Sequence, residues 1–221
     1  MFRILVASAK GGVGKTTIST TLAGYYALKG HRTVLLDADP QGSSLMWCAK
    51  RNAETHSVLG MDGTRRQAIN NIPDKAQRVI IDTPAGAMPE DLSEFIDVAD
   101  ALIIPALPSV MDSEATKRFL LPLLEHKRVA RKHLPIGIVA NRLKPRTQST
   151  QHLISELSHW PVEVIGQLRD TQAYVLLAGL GKCVFDYHSE NIRDHQEDWK
   201  PIRHWLKQVR KKRGSVRRCS R

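Results

Sequence analysis

Acidic side chains are missing from the last 23 residues, WKPIRHWLKQVRKKRGSVRRCSR, which hold four lysines and six arginines. The other 198 residues carry 23 basic and 22 acidic side chains, so nearly all of the formal charge of +11 sits in this C-terminal stretch. Charge so one-sided points to an acidic polymer or an anionic membrane as partner. Cysteine is scarce as well. Cys48, Cys183 and Cys219 are odd in number and far apart, which excludes a disulfide framework and gives no zinc spacing. A reducing cytoplasm is the expected compartment. No apolar run reaches the roughly 18 residues of a spanning helix, and the first apolar stretch is too short for a secretory signal. Internal repeats and long linkers are absent, and His126, His133, His152 and His159 show no metal spacing. With 221 residues the chain is long enough to bury one sizeable core. The expected organisation is one domain over residues 1–198, with 199–221 as a basic helix and tail rather than a second domain.

Against these absences stands SAKGGVGKTT at residues 8–17, directly behind the apolar run MFRILVA. The run reads as a buried strand and Thr16 onward as a helix. A glycine-rich turn between them lets backbone N–H groups converge on an anion at the positive end of the helix dipole. Gly11, Gly12 and Gly14 leave room for phosphate around Val13, Lys15 can reach the β- and γ-phosphates, and Thr16 can offer a hydroxyl to Mg²⁺. The usual first glycine of a P-loop is replaced by Ala9, and a second lysine, Lys10, heads the loop instead. The loop is expected to bind nucleotide phosphate.

Further short apolar runs recur at 33–37, 78–82, 101–106, 136–141 and 162–168. Their unbroken apolarity suits parallel strands covered on both faces. Helices fit between them at Thr16–Leu28, Ser43–Lys50, Thr64–Asn70, Pro89–Val98, Ser113–Glu125 and Thr147–Leu157. This alternation predicts an α/β fold of the P-loop NTPase type: a doubly wound, mostly parallel sheet with helices on both faces. Ligands of such sheets sit at the carboxyl ends of strands. Asp37 and Asp39 follow the second run, Asp82 ends the third and Asn141 ends the fifth. Asp82 suits a Walker B role, holding Mg²⁺ directly or through water, while Asp39 could orient the attacking water and Asp37 could brace the cluster or join the metal site.

The motifs KGGVGKTT (10–17), LLDADPQGS (35–43), VIIDTPA (79–85), LIIPALPS (102–109), IVANR (138–142) and AGLGKCVFDY (178–187) resemble the ParA/MinD superfamily of deviant Walker A ATPases, and within it the short ParA-type proteins. The resemblance spans roughly residues 1–190. It implies an ATPase that uses ATP and Mg²⁺, with Lys10 as a signature lysine reaching the partner's nucleotide across an ATP-bound homodimer. Lys15, Thr16 and Thr17 would bind phosphate and Mg²⁺, Asp39 would act in hydrolysis, and Asn141 would contact adenine beside a loop near 169–173. It further implies a cytoplasmic, nucleoid-associated switch on non-specific double-stranded DNA. Its cargo would be a plasmid, a chromosome or a protein body such as a carboxysome. A cargo adaptor or centromere-binding protein would stimulate its ATPase. An operator-binding helix-turn-helix domain is not expected, because the P-loop begins at residue 10.

The C-terminus separates the subfamilies. Asp198–Gly214 reads as a helix with Trp199, Ile202, Leu206 and Val209 on one face. Three readings compete: a terminal helix packed on the sheet, a non-specific DNA contact, and a MinD-like amphipathic helix lying in a membrane interface. The charge is densest after the apolar stripe ends, which favours DNA over lipid. Arg203, Lys207, Arg210, Lys211, Lys212, Arg213, Arg217 and Arg218 are the candidate phosphate contacts, and the basic clusters at 127–132 and 142–146 could extend them.

Overall fold

The computed structural model describes residues 1–52 and 56–219. Strands β1 (Phe2–Val6), β2 (Thr33–Asp37), β3 (Leu59–Asp62), β4 (Arg78–Asp82), β5 (Ala101–Ala106), β6 (Ile136–Leu143) and β7 (Glu163–Arg169) form one sheet. Their order is β3-β2-β4-β1-β5-β6-β7, and every neighbouring pair is parallel. The sheet is thus wholly parallel, and each crossover must return the chain to the same edge through a connection on one face.

Every residue of β2, β4 and β5 is buried, as their unbroken apolar runs require. Alternate side chains then sort to two cores. Leu5, Leu36, Ile81 and Ile104 face α3 (Ser93–Val98), α4 (Val110–Glu125) and α6 (Gln148–Leu157). Ile4, Leu35, Ile80 and Ile103 face α1 (Lys15–Leu28), α2 (Ser43–Asn52), α7 (Gln172–Gly179) and α9 (Lys200–Cys219). The short α5 (Lys127–Ala130) follows α4, and α8 (Glu190–Asp198) leads into α9.

The apolar stripe of α9 lies in the second core. Trp199, Ile202, Trp205, Leu206 and Val209 are all buried there, and the Trp199 indole donates to the Tyr174 hydroxyl at 2.9 Å. Contact between α9 and β7 is close enough to need a glycine: a Cβ on Gly166 would stand 2.4 Å from Ile202 Cγ1.

The structure departs from the sequence reading in a few elements. The helix expected at Thr64–Asn70 is only a 3-10 turn at Ala68–Asn71, and the one expected from Pro89 starts at Ser93. β3 was not expected because, as an edge strand, it keeps Leu59 and Asp62 exposed and lacks an apolar run. α8, ENIRDHQED, is polar almost throughout and carries no apolar stripe to read.

Candidate nucleotide site

The turn from β1 into α1 is held open by glycine. Gly12 has φ 74° and Gly14 φ 95°, both in the left-handed region that glycine enters freely. Gly14 is also the N-cap of α1, and no side chain caps the helix amides behind it. Those donors therefore face the cleft unsatisfied, which is the condition for anion capture. A Cβ on Gly14 would come within 2.3 Å of Asn141 Nδ2, so that position needs glycine for space as well.

Lys15 is buried beside the loop, its ammonium donating to the Lys10 carbonyl at 3.1 Å. Burial holds its pKa below the ordinary lysine value, against the opposing pull of Asp82 and Asp39. Two residues at the end of β6 brace the loop from the other side. Asn141 Nδ2 donates to the Val13 carbonyl at 2.7 Å, and Arg142 Nη1 to the Gly12 carbonyl at 3.2 Å. Asn141 and residues 169–172 line the same cleft of about 290 Å³, together with Gly11, Thr16, Thr17 and Asp39. Tyr174 and Val175 close its far side.

Asp82, at the carboxyl end of β4, is fully buried. Its two oxygens accept from Ser19 Oγ at 3.1 Å and from Ser44 Oγ at 2.5 Å. Burial raises its carboxyl to about 6, although hydrogen bonds from Ser44, Thr16 and Ser19 counter part of that rise. Asp37 is buried too, and desolvation lifts it above the usual carboxylate range. Its oxygens accept from the amides of Asp39 at 3.1 Å and Leu45 at 2.9 Å. In this structure Asp37 is therefore a brace that fixes the turn carrying Asp39 and the start of α2. Asp39 itself is half-buried in the cleft, with one oxygen on the Gln41 amide at 3.0 Å. Thr16 and Asp82 together present a hydroxyl and a carboxylate, the hard-oxygen pair that Mg²⁺ takes beside substrate phosphates.

Lys10 points elsewhere. Its ammonium rests on Asp112, at the start of α4, with 2.5 Å between Nζ and Oδ1. The ion pair is poorly aligned for a hydrogen bond, since that same oxygen has no hydrogen-bond partner. Three partners in this site were not read from the sequence: Ser19, Ser44 and Asp112. Ser44 had a signal in the SS pair closing LLDADPQGSS, but Asp112 had none: it lay just ahead of the helix expected from Ser113, which in the structure begins earlier, at Val110.

The basic C-terminal residues divide by environment. Lys207, Arg210, Lys211 and Lys212 are exposed on α9. Arg203 is instead stacked over Tyr25 at 5.0 Å and Phe185 at 5.1 Å. Arg213 pairs with Asp100 and donates to the Met1 carbonyl at 3.0 Å, so it ties α9 to the sheet. Arg217 and Arg218 have side chains outside the described residues. In the other basic clusters, Arg128 donates to the Ile96 and Ala99 carbonyls, and Arg142 lines the nucleotide cleft.

Comparison with known proteins identifies the family. The family model for the CobQ/CobB/MinD/ParA nucleotide binding domain matches residues 4–182. Maintenance of carboxysome distribution protein A from Gloeobacter kilaueensis is 28% identical over 90% of this chain and 91% of its own length. The protein of the same name from Halothiobacillus neapolitanus is 30% identical over 74% of this chain and 77% of its own. Among solved structures, a Cyanothece McdA variant in complex with ATP superposes with TM-score 0.72 at 16% identity, covering 95% of this chain and 96% of that one.

Proposed function

The chain belongs to the CobQ/CobB/MinD/ParA nucleotide-binding family, and from that premise we propose that it is an ATPase that dimerises when ATP is bound, binds duplex DNA without sequence preference and positions a cargo. A partner protein, a cargo adaptor or a centromere-binding protein, stimulates its hydrolysis. Two relatives named for carboxysome distribution favour a protein body as the cargo, with a plasmid or chromosome next. The place of action under this reading is the nucleoid.

The observation that carries the reading is the division of labour between two lysines. Lys15 lies in its own cleft, where it neutralises phosphate charge with the amides of Gly12, Gly14 and Thr16. Lys10, five residues earlier, turns out of that cleft onto Asp112. From there it is placed to serve a second copy, as an arginine finger serves a partner's nucleotide. The exposed apolar residues Val110 and Met111, next to Asp112, and Val175 and Leu176, at the cleft, supply a surface for that copy. Asp39 faces the phosphate end of the cleft and orients the attacking water. Asp37 fixes the turn that carries it. Thr16 and, directly or through water, Asp82 would hold Mg²⁺, which would supply positive charge to the phosphate oxygens.

Lipid insertion is the other reading of α9. Its apolar stripe lies in the core while Lys207, Arg210, Lys211 and Lys212 are exposed, which favours a polyanion over a bilayer. Lys10→Ala tests the reading. With a slowly hydrolysed ATP analogue it is expected to bind nucleotide yet sediment as a monomer and bind DNA far more weakly than wild type. A fully dimeric Lys10→Ala protein would refute it.

A further inference from the structure

Arg78 is a buried arginine with no carboxylate beside it among the described residues. It opens β4, where it registers against Phe2 on one side and Thr33 on the other, and only 8% of its surface is exposed. Its guanidinium lies 5.1 Å from the Tyr26 ring. Nη1 donates to the Gln77 carbonyl at 2.9 Å, Nη2 lies 3.2 Å from His31 Nε2, and Nε, fully enclosed, has no partner. Among the described residues no acid forms an ion pair with it. A further cation stands close by instead. Burial lowers the pKa of both Arg78 and His31. The Arg78 charge presses further on His31, and Arg210, exposed on α9, adds a smaller push on both, against the opposing pull of Tyr26 on Arg78 and of Gln77 on His31.

This arrangement is costly as it stands. A buried charge without a counter-charge is the strongly destabilising case, and the Tyr26 ring with its side-chain hydrogen bond, one carbonyl and the His31 imidazole offset it only in part. Proteins commonly meet such a cost with an aspartate or glutamate, and none is supplied by the described residues. An incoming anion would complete the charge balance. The planar guanidinium fork fits phosphate oxygens, and His31 gains a second donor when the anion lets it protonate. Lys207 and Lys211 continue the exposed positive charge along α9, which suits a chain of phosphates better than a single small anion.

We propose that Arg78, His31 and Arg210 form a phosphate seat at the amino-terminal end of the sheet, which takes a backbone phosphate of duplex DNA. The proposal rests on the DNA reading above and places one contact of that interface. It is separate from the nucleotide cleft, because Arg78 and Asp82 stand at opposite ends of β4, about 13 Å apart at a strand's rise per residue.

The test measures binding of a labelled random-sequence duplex across a salt series, with the P-loop filled by a slowly hydrolysed ATP analogue. For Arg78→Gln the affinity should fall about eightfold at 0.1 M salt for each seat engaged, and the log–log salt slope should become shallower by about 0.9. Its ATP-dependent dimerisation should match the wild type. A folded Arg78→Gln protein with wild-type affinity and slope overturns the seat and leaves the DNA reading intact. Wild type that binds no duplex even at low salt overturns the DNA reading itself.

A second arm covers failure of Arg78→Gln to fold and identifies the source of the phosphate. Inorganic phosphate is titrated into wild type and Arg210→Gln, both saturated with Mg–ADP, while the His31 imidazole is followed by NMR. A saturable shift in wild type that weakens in Arg210→Gln supports the seat, and with no duplex binding it assigns the seat to free phosphate. No His31 response overturns it.

Discussion

Asp112→Asn should tighten the ATP-bound dimer. Under the proposed function Lys10 serves a partner's nucleotide, which it can do only after it leaves Asp112, so this ion pair would oppose dimerisation in each protomer. Its contact is close, 2.5 Å, but the lysine side chain is 42% exposed and the alignment is poor. Solvent screening then limits the pair to the upper end of the range for exposed ion pairs, about 1 kcal/mol rather than the larger Coulomb figure for a dry interior. Two copies release two lysines, so removing the carboxylate charge should favour the dimer by about 2 kcal/mol, or roughly thirtyfold in Kd. Asparagine keeps the size of the buried side chain and so limits repacking around α4. The assay is sedimentation equilibrium over a protein concentration series with a slowly hydrolysed ATP analogue. An unchanged dimer constant would refute the restraining role of Asp112. A weaker dimer would show that Asp112 belongs to the interface itself.

Asp82 makes metal-free stability depend on pH. Its carboxyl sits at about 6 in the folded chain against 3.8 in the unfolded one, so the folded state holds its proton more tightly. The resulting stability, about 3 kcal/mol, is fully present below pH ~4 and lost as pH rises through ~6. Urea unfolding at pH 4.5 and 7, compared between wild type and Asp82→Asn, isolates this contribution, and equal pH dependence in both would contradict it. Arg51 joins α2 to the segment before α8 through a buried pair with Asp186, 2.8 Å from Nη1 to Oδ2. Arg51→Met leaves that acid buried and unpaired, for an expected loss of 3–5 kcal/mol. Thermal unfolding should show the loss, and the double variant with Asp186→Leu should regain most of it.

The phosphate loop and the strands were legible because their signals are local. A glycine turn between an apolar run and a helix reads the same in any tertiary setting, and strands buried on both faces must be apolar throughout. Asp37, Asp39 and Asp82 followed from one topological rule, that parallel strands deliver their carboxyl ends to a common edge. What escaped depends on packing between distant segments. Ser19 and Ser44 reach Asp82 across 63 and 38 residues, and apart from the serine pair that closes LLDADPQGSS nothing in their neighbourhoods signals that contact. Arg203 and Arg213 looked like members of a free cationic face. Their difference from Lys207 and Lys211 is whether Tyr25, Phe185 or Asp100 stands beneath them, which periodicity alone does not reveal. Arg78 was hidden for the same reason. It reads as a polar lead-in to a strand, and only the missing carboxylate around it makes it unusual.

The placement of the two phosphate sites also bears on how ATP could control DNA binding. Helix α1 starts at Lys15 and reaches Tyr26 near its other end, and β4 runs from Arg78 to Asp82. Both elements thus join the nucleotide cleft to the phosphate seat. Yet the nucleotide and the DNA phosphate carry charge of the same sign, about 13 Å apart along β4. Direct electrostatics between them would weaken DNA binding when ATP is bound, so it gives no reason for ATP to promote DNA affinity. Dimerisation does, because it places two seats and two copies of α9 on one assembly, and each added phosphate contact multiplies affinity through counterion release. Under this reading the salt slope of DNA binding should be about twice as steep for the ATP-bound dimer as for an ATP-bound monomer such as Lys10→Ala. Equal slopes for the two would place the nucleotide dependence within the protomer, along α1 and β4.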